Sequence, residues 1–463
     1  MQQPEKKTAI ITSFHTLISR NILQTPIIGL LQKSGFDIVI AVPNFKVPYF
    51  EKTFKRLGVT IEGFEIGAPT RTKRVGMLKR LAEALPDSRR AELGRKLTLS
   101  GQTKSRLYYY LFYYPVHFLG KSHLIMQFLR LIDYWLSPRG RFYDLFEKYK
   151  PALVFSTDVQ NEHDVAIMQD AKSKKIPVLG MVRSWDNVVT RAFRFVPKRI
   201  LIHNAIIGEQ ANSLYGIDKK RFVVTGVPHY DAYLENSKPD RNQKFKEWQL
   251  ASLKKTVLFF PLCDYRVVRE SNEKQIYMDK LILETLQAFD CNVIVRFPPN
   301  ETVSIPGFDK PANFFYDRPG VGFDAAGVTT REIRKEDDES LRAELSLADA
   351  VVCGPSTAII DAALFDKPIV CIDFEIGKKD SLHGFIFEYQ SEHIVSVLRT
   401  KGIARVKTVE ELKTALTAYF KDPSRDQAGR RQVVNEQCYK TDRLSSKRVA
   451  LEILEFLTPN PKP

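Results

Sequence analysis

Cysteine is scarce in this chain: five in 463 residues (Cys263, Cys291, Cys353, Cys371, Cys438), odd in number and scattered. Four lie in or beside apolar runs. That pattern excludes a disulfide framework, argues against a zinc site, and predicts buried thiols in a reducing compartment. Long apolar runs are missing too. Nowhere do about 18 uninterrupted apolar residues occur, so no membrane-spanning helix is expected. The opening "MQQPEKKTAIITSF" has neither a long apolar core nor a small-residue cleavage site, which predicts no signal peptide and a cytoplasmic location. A Walker A sequence and a G-x-G-x-x-G fingerprint are both absent, so ATPase and nicotinamide chemistry are not expected. There is no Asp-x-Asp signature in a suitable place, and "DVQNEHD" is too loosely spaced for a metal site, so the expectation is no metal and no cofactor.

Acidic residues are the minority, 54 against 70 Lys and Arg, for a formal charge of +16. The excess is concentrated. Between Arg71 and Lys148 there are 16 basic and 6 acidic residues, a surplus of 10. This segment also carries an aromatic cluster, Tyr108 to Tyr114, and its pattern suggests two or three helices.

On either side of it, apolar strands alternate with helices of ten to fifteen residues. "TAIITSF", "FDIVIAVP", "PALVFSTD", "IPVLGMV", "RILIHN" and "RFVVTG" read as strands, and the helix through "ILQTPIIGLLQKSG" is stopped by Gly35. "KEDDE" (335–339) reads as an exposed acidic run capping a helix. The length calls for two domains. The alternation predicts an α/β protein of two Rossmann-like, doubly wound parallel-sheet domains facing a cleft, with the basic helices inserted in the first. The expected boundaries are 1–235 with the insertion at about 71–148, a polar linker at 236–254, a second domain at 255–440, and a terminal helix at 441–463 that can cross back to the first domain.

The stretch "LADAVVCGPSTAIIDAALFDKPIVCIDFE" (347–375) reads as strand, small-residue turn, helix and strand. In an open parallel sheet, ligands collect beyond the carboxyl ends of strands. A turn that leaves such a strand and opens a helix offers backbone N–H groups there. Gly354 and Pro355 shape this turn, Ser356 can cap the helix, and Thr357 adds a hydroxyl, a set that suits phosphate. Asp361 falls on the same face one turn later, where a carboxylate can accept from sugar hydroxyls. The plain alternative is a Ser cap and a solvated Asp.

Asp349, the small-residue turn, Asp361-Ala362 and "DKPIVCID" resemble the donor-site pattern of GT-B glycosyltransferases. They are most similar to the branch holding CDP-glycerol glycerophosphotransferase-like and UDP-N-acetylglucosamine 2-epimerase-like proteins. The polar turn "SFHTLISRN", the loop "SWDN" and "TGVPHYD" match the same superfamily. The resemblance implies a nucleotide held on the second domain, an acceptor on the first, and chemistry between them. Two positions depart from the pattern. Asp361 stands where Glu is frequent, and "RFPPN" puts Phe297 where CDP-glycerol relatives carry His, which favours a sugar donor.

Such a transfer needs the leaving diphosphate stabilised and the acceptor hydroxyl deprotonated. Arg266 and Arg296 are the expected cations beside the 354–357 turn, since a guanidinium donates two bonds to phosphate. His15, after the first strand, is the expected base, with Asp158 as its rival. Arg20, Trp185, Asp186, Asn187 and His229 are candidates for holding acceptor or sugar. For the basic segment three readings stand: docking on an anionic membrane, a solvated helical insertion with its own small core, or nucleic-acid binding, which no other feature supports. The function expected is a metal-independent glycosyltransferase, peripheral on the inner membrane face, moving a sugar from a nucleotide-sugar donor to a cell-envelope or lipid-linked glycan. Alternatives are a glycerophosphotransferase on a polymer, a non-hydrolysing sugar-nucleotide epimerase, and a non-catalytic nucleotide-sugar-binding protein.

Overall fold

The computed structural model describes residues 6–66, 73–100, 104–235, 238–262, 272–299, 305, 307–325, 328–374 and 385–457. Its packing divides into two units: 1–235 with 323–330 and 438–463, and 236–322 with 331–437.

The first unit is built on seven parallel strands: β1 Lys7–Thr12, β2 Phe36–Pro43, β3 Val59–Phe64, β4 Leu153–Ser156, β5 Val178–Met181, β6 Arg199–Ile202 and β7 Phe222–Val224. They are rich in Ile, Val and Leu because a parallel sheet is covered on both faces. Their order is β3-β2-β1-β4-β5-β6-β7, with Ala9 of β1 in register with both Ile38 of β2 and Leu153 of β4. Each fully buried Ile or Leu in this core contributes about 1.5–3 kcal/mol.

The first helix is shorter than its apolar period suggests. Ser19–Leu23 forms a separate wide turn, and α1 runs only over Ile27–Lys33. Pro26, with no N–H to give, sets the new start. Gly35, at φ +86°, follows the end of α1 in the left-handed conformation. The terminal helix Ser445–Leu457 belongs to this unit and packs Val449, Ala450 and Ile453 into the same core as Ile27, Ile28 and Leu31.

The basic segment is helical: α2 Lys73–Ala84, α3 Arg89–Leu99, a run over 106–120, and α4 His123–Leu136. Leu85, Val116 and Met126, with Leu81, Phe112, Tyr113 and Leu129 around them, make a small core of its own. α5, Glu162–Ser173, then follows β4 and is capped by Asn161, whose side chain accepts from the His163 N–H at 2.9 Å.

The second unit opens with α6, Arg241–Glu247, inside the stretch expected to be a linker. Trp248 stacks on Phe315, and Arg241 donates to the Leu347 carbonyl, so 238–254 packs as part of this unit. The polar composition that suggested a linker reflects one solvated helix face. The strands are β8 Lys255–Phe259, β9 Cys291–Arg296, β10 Phe314–Asp317, a separate hairpin of β11 Val321–Ala325 and β12 Val328–Glu332, then β13 Ala350–Cys353, β14 Ile369–Ile372 and β15 Ala404–Val406. The main sheet is parallel in the order β10-β9-β8-β13-β14-β15. The hairpin was not expected, and neither was β15. Residues 323–330 of this hairpin are counted in the first unit, where Phe323 packs on Tyr49 at 5.6 Å and Phe45 at 6.1 Å. Before β13 lies α7, Lys335–Leu347, whose acidic run does cap it. Asp337 is buried rather than exposed, and takes the N–H groups of Arg334 and Gly320. After β13 comes α8, Ala358–Leu364. The four described cysteines are buried thiols outside any disulfide; Cys263 lies outside the described residues. No described helix is long and apolar enough to cross a membrane.

Candidate functional site

Each sheet has one place where the strand order turns back on itself: between β1 and β4 in the first unit, and between β8 and β13 in the second. Loops leaving adjacent strands part there and open a crevice at the carboxyl ends. His15 and Asp158 follow β1 and β4. Gly354–Thr357 follows β13. His15 and Asp158 therefore fall on the first switch point and the 354–357 turn on the second, one set in each unit.

At the first switch point a buried polar network ties the strands together. Thr12 Oγ1 accepts the Thr157 N–H at 2.9 Å, and Thr157 Oγ1 donates to the Thr12 carbonyl at 2.8 Å. Thr12 and Ser156 both donate to Asp164 of α5. Burial and the neighbouring Asp158 charge push the Asp164 carboxyl up to about 8.

Asp158 is engaged rather than free to act as a base. It is ion-paired with Arg183, and Asn187 Nδ2 donates to it at 3.4 Å. Arg183 also donates to Asn187 Oδ1 at 3.2 Å. Asn187 is wholly buried and belongs to this brace, so its amide is not available to a sugar. Trp185 is 5% exposed and offers no open face for stacking. Asp186 precedes the short helical turn 187–190, and its carbonyl accepts from Thr190.

The surroundings of His15 bear on its expected role as base. Its Nδ1 accepts the Leu17 N–H at 3.2 Å, so the neutral ring carries its proton on Nε2 and presents a donor there. Burial, followed by the charges of Arg183, Arg191 and Lys46, holds its pKa well below the usual imidazole range. Such a ring is a weak base and a good hydrogen-bond donor. Lys46, Arg183 and Arg191 were missed in the sequence, although "PNFKVP" and "RSWDN" both directly follow strands of this sheet. Arg20 and His229 belong to the same unit. His229 is buried against Tyr230 and Tyr233, and neither ring nitrogen has a hydrogen-bond partner among the described residues. Burial, then Arg20, then His203 keep its pKa well below normal. His203, another residue missed, is driven down to about 4 by burial.

At the second switch point the turn is close-packed. A Cβ on Gly354 would come 2.9 Å from the Leu262 side chain, which follows β8 across the crevice. Thr357, not Ser356, is the N-cap of α8, and it makes no side-chain capping bond. Hydrogen bonding at the start of α8 begins at the Ile359 N–H, which reaches the Ser356 carbonyl at 3.2 Å, followed by the Ile360 and Asp361 N–H groups, which reach the Thr357 carbonyl at 2.9 and 3.2 Å. The N–H groups before Ile359 thus lie outside its ladder. Thr357 is exposed, and Asp361 is buried within α8. Asp349 works at the opposite strand end, where it accepts the Thr256 N–H at 2.9 Å and Lys255 at 3.0 Å.

Arg296 is not placed for a diphosphate. Its side chain is buried, pairs with Asp317 and with Glu344 at 3.2 Å, and donates to the Asp337 carbonyl at 2.7 Å. Burial pushes the Glu344 carboxyl well up against the opposing pull of Arg296. Arg296 thus braces α7 on the sheet. Phe297 is buried, with the Arg318 guanidinium 3.7 Å from its ring centroid. Arg266 lies outside the described residues. Among the described residues, no three of His, Cys, Asp or Glu gather as a metal-holding group.

Residues 181–455, more than half of the chain, match the model of the CDP-glycerol:poly(glycerophosphate) glycerophosphotransferase family. The chain belongs to this family. The match takes in the Arg183 loop, the whole second unit and most of the terminal helix. No curated protein sequence matches the chain. Solved structures extend the likeness to the fold. A protein described as a UDP-N-acetylglucosamine 2-epimerase from Listeria monocytogenes is 12% identical, with 99% of each chain covered and a TM-score of 0.54. The S. aureus MnaA–UDP complex is 13% identical, again with 99% of each covered, at 0.53. The calicheamicin glycosyltransferase CalG4 is 11% identical over the full length of both, at 0.50. This member of the glycerophosphotransferase family therefore has the GT-B fold of two Rossmann-like domains, with a basic helical insertion in the first.

Proposed function

We propose that the chain transfers a group from a nucleotide-activated donor to a phosphate-bearing acceptor of the cell envelope, working from the cytoplasmic face of the membrane. The observation that carries this is the position of the 354–357 turn. It leaves a central strand at the switch point of the second sheet, inside the family-matched region, where a diphosphate finds backbone N–H groups.

The leading cargo is glycerol phosphate or a similar polyol phosphate. Family membership supports it, and so do the three cations whose charges reach His15, namely Lys46, Arg183 and Arg191, of which Arg183 is paired with Asp158. In this reaction an acceptor oxygen forms a bond to the donor's distal phosphorus. The bond from that phosphorus to the nucleotide phosphate breaks, the nucleoside monophosphate departs, and the hydroxyl proton passes to solvent. Phosphoryl transfer of this kind is catalysed chiefly by positioning and electrostatic stabilisation. That fits a His15 whose free nitrogen donates a hydrogen bond. A second reading, transfer of a sugar to a lipid-linked or envelope glycan, is favoured by the buried Phe297 in place of a His.

The two readings leave different products. Incubation with CDP-glycerol and with UDP-, GDP- and TDP-sugars, with nucleotides resolved by chromatography, separates them: CMP release marks phosphodiester formation and nucleoside diphosphate release marks sugar transfer. An epimerised sugar nucleotide with no acceptor present would replace both readings with an epimerase. Binding of a donor without turnover on any envelope polymer would leave a nucleotide-sugar-binding protein. If no nucleotide-linked compound raises the melting temperature, the proposal fails, since binding to the native state must stabilise it.

A further inference from the structure

The helical insertion keeps a large part of its apolar surface outside its own core. On α4, Leu124, Phe128, Leu131 and Trp135 are 48–76% exposed. Their spacing of four, three and four residues draws one stripe along a helix. In the 106–120 run, which widens to a π turn at Tyr109–Tyr113, Leu107, Leu111, Tyr114 and Phe118 are likewise 50–71% exposed. The two helices are joined through Lys121 and Ser122. Their inner residues Phe112, Val116, Met126 and Leu129 meet in the small core, so both stripes point away from it. Monomeric proteins rarely leave paired stripes of this kind in water.

The charges decide what covers them. From Lys104 to Leu136 the sequence has four Lys or Arg and one acid, Asp133. Asp133 is buried and paired with Arg194 at 2.7 Å, so it contributes no exposed negative charge. Lys104, Arg106 and Lys121 are exposed, with Lys104 3.9 Å from the Tyr108 ring centroid and Lys121 5.3 Å from that of Phe118. Apolar and aromatic stripes edged by cations, with no exposed acid between 104 and 136 and with the neighbouring Asp87 taken up by Arg95 at 2.8 Å and His117 at 3.6 Å, match a surface of anionic headgroups over acyl chains. A second copy of the same face would bring cation against cation.

We infer that α4 and the 106–120 run lie in the plane of an anionic phospholipid surface, with Trp135, Phe128, Leu124, Leu107, Leu111 and Phe118 inserted at its boundary. This gives the membrane placement in the proposed function a defined contact face. The test needs neither nucleotide nor acceptor, so its failure would leave the donor reading standing.

The full chain is sedimented with vesicles of phosphatidylglycerol and phosphatidylcholine, and with vesicles of phosphatidylcholine alone. The expected result is strong recovery with the anionic vesicles, little with the neutral ones, and weakening as salt rises. Trp135 is the only exposed one of the three tryptophans, Trp185 and Trp248 being buried, so its emission reports insertion directly. A blue shift is expected on anionic vesicles, and Trp135→Phe should abolish it while binding remains. The triple variant Leu111→Asp, Phe128→Asp, Trp135→Asp should lose the vesicle-bound fraction and keep its melting temperature, because all three side chains are exposed. Equal recovery on both vesicle types, no recovery on either, or undiminished binding by the triple variant would each overturn the inference. A concentration-dependent dimer abolished by the triple variant would also overturn it and make this face a self-association surface.

Discussion

Arg183 reaches from the loop after β5 to the carboxylate of Asp158, which follows β4, and both side chains are buried. With Asn187 closing the third side, this pair sets the geometry of the first switch point. Removing one member of a buried pair leaves an uncompensated charge, at a cost of about 3–5 kcal/mol. Arg183→Met should therefore destabilise by that amount in urea denaturation. Adding Asp158→Asn to it should restore a large part of the loss.

Stability should depend on pH through groups held in opposite senses. Asp164, with its folded pKa pushed up to about 8, binds a proton in the native state that the unfolded chain releases near pH 3.9. Its contribution is present at low pH and is lost as pH rises through about 8. His203, held down at about 4, acts the other way: its contribution is full above the unfolded value near 6.5 and is lost as pH falls toward 4. Asp164→Asn should flatten the alkaline decline in urea midpoints measured from pH 5 to 9 and leave the acid limb in place.

His15 offers Nε2–H while its Nδ1 is held by Leu17. The pH profile of kcat/KM should accordingly show no limb belonging to His15. His15→Gln, which keeps a donor, should retain more activity than His15→Phe with an unshifted profile. Loss of an acid limb in His15→Gln would return the residue to the role of base.

Asp231 caps the terminal helix, taking the N–H groups of Ser445 at 3.0 Å and Ser446 at 2.7 Å. Loss of a capping carboxylate costs about 0.5–2 kcal/mol. Asp231→Ala should lower the urea midpoint by the equivalent amount, and Asp231→Asn should lower it less.

The fold was legible where strands are long and apolar. "FDIVIAVP" and "CNVIVRFP" have no other plausible use, and the alternation with helices points directly to parallel sheets. The hairpin of β11 and β12 was not legible, because "VGFDAAGVTTRE" lacks an apolar face of its own and Phe323 finds its partners, Phe45 and Tyr49, far away in sequence. β15 is only three residues long. Within the candidate site, His15, Asp158 and the 354–357 turn could be placed because they directly follow strands. What could not be read was which polar groups are already engaged. Arg296 looks like any exposed arginine until Asp317 and Glu344 close on it, and Asn187 looks like a sugar ligand until Asp158, 29 positions earlier, comes within reach. The stripes at 107–118 and 124–135 show their period in the sequence, but not that they face outward.

Backbone hydrogen exchange in the presence of a saturating donor, CDP-glycerol or whichever nucleotide-linked compound binds by calorimetry, tests the central claim most directly. The account predicts slowed exchange concentrated in the peptide spanning 354–361, where N–H groups before the α8 ladder close on the diphosphate. A donor that binds while that peptide exchanges at its free rate would contradict it.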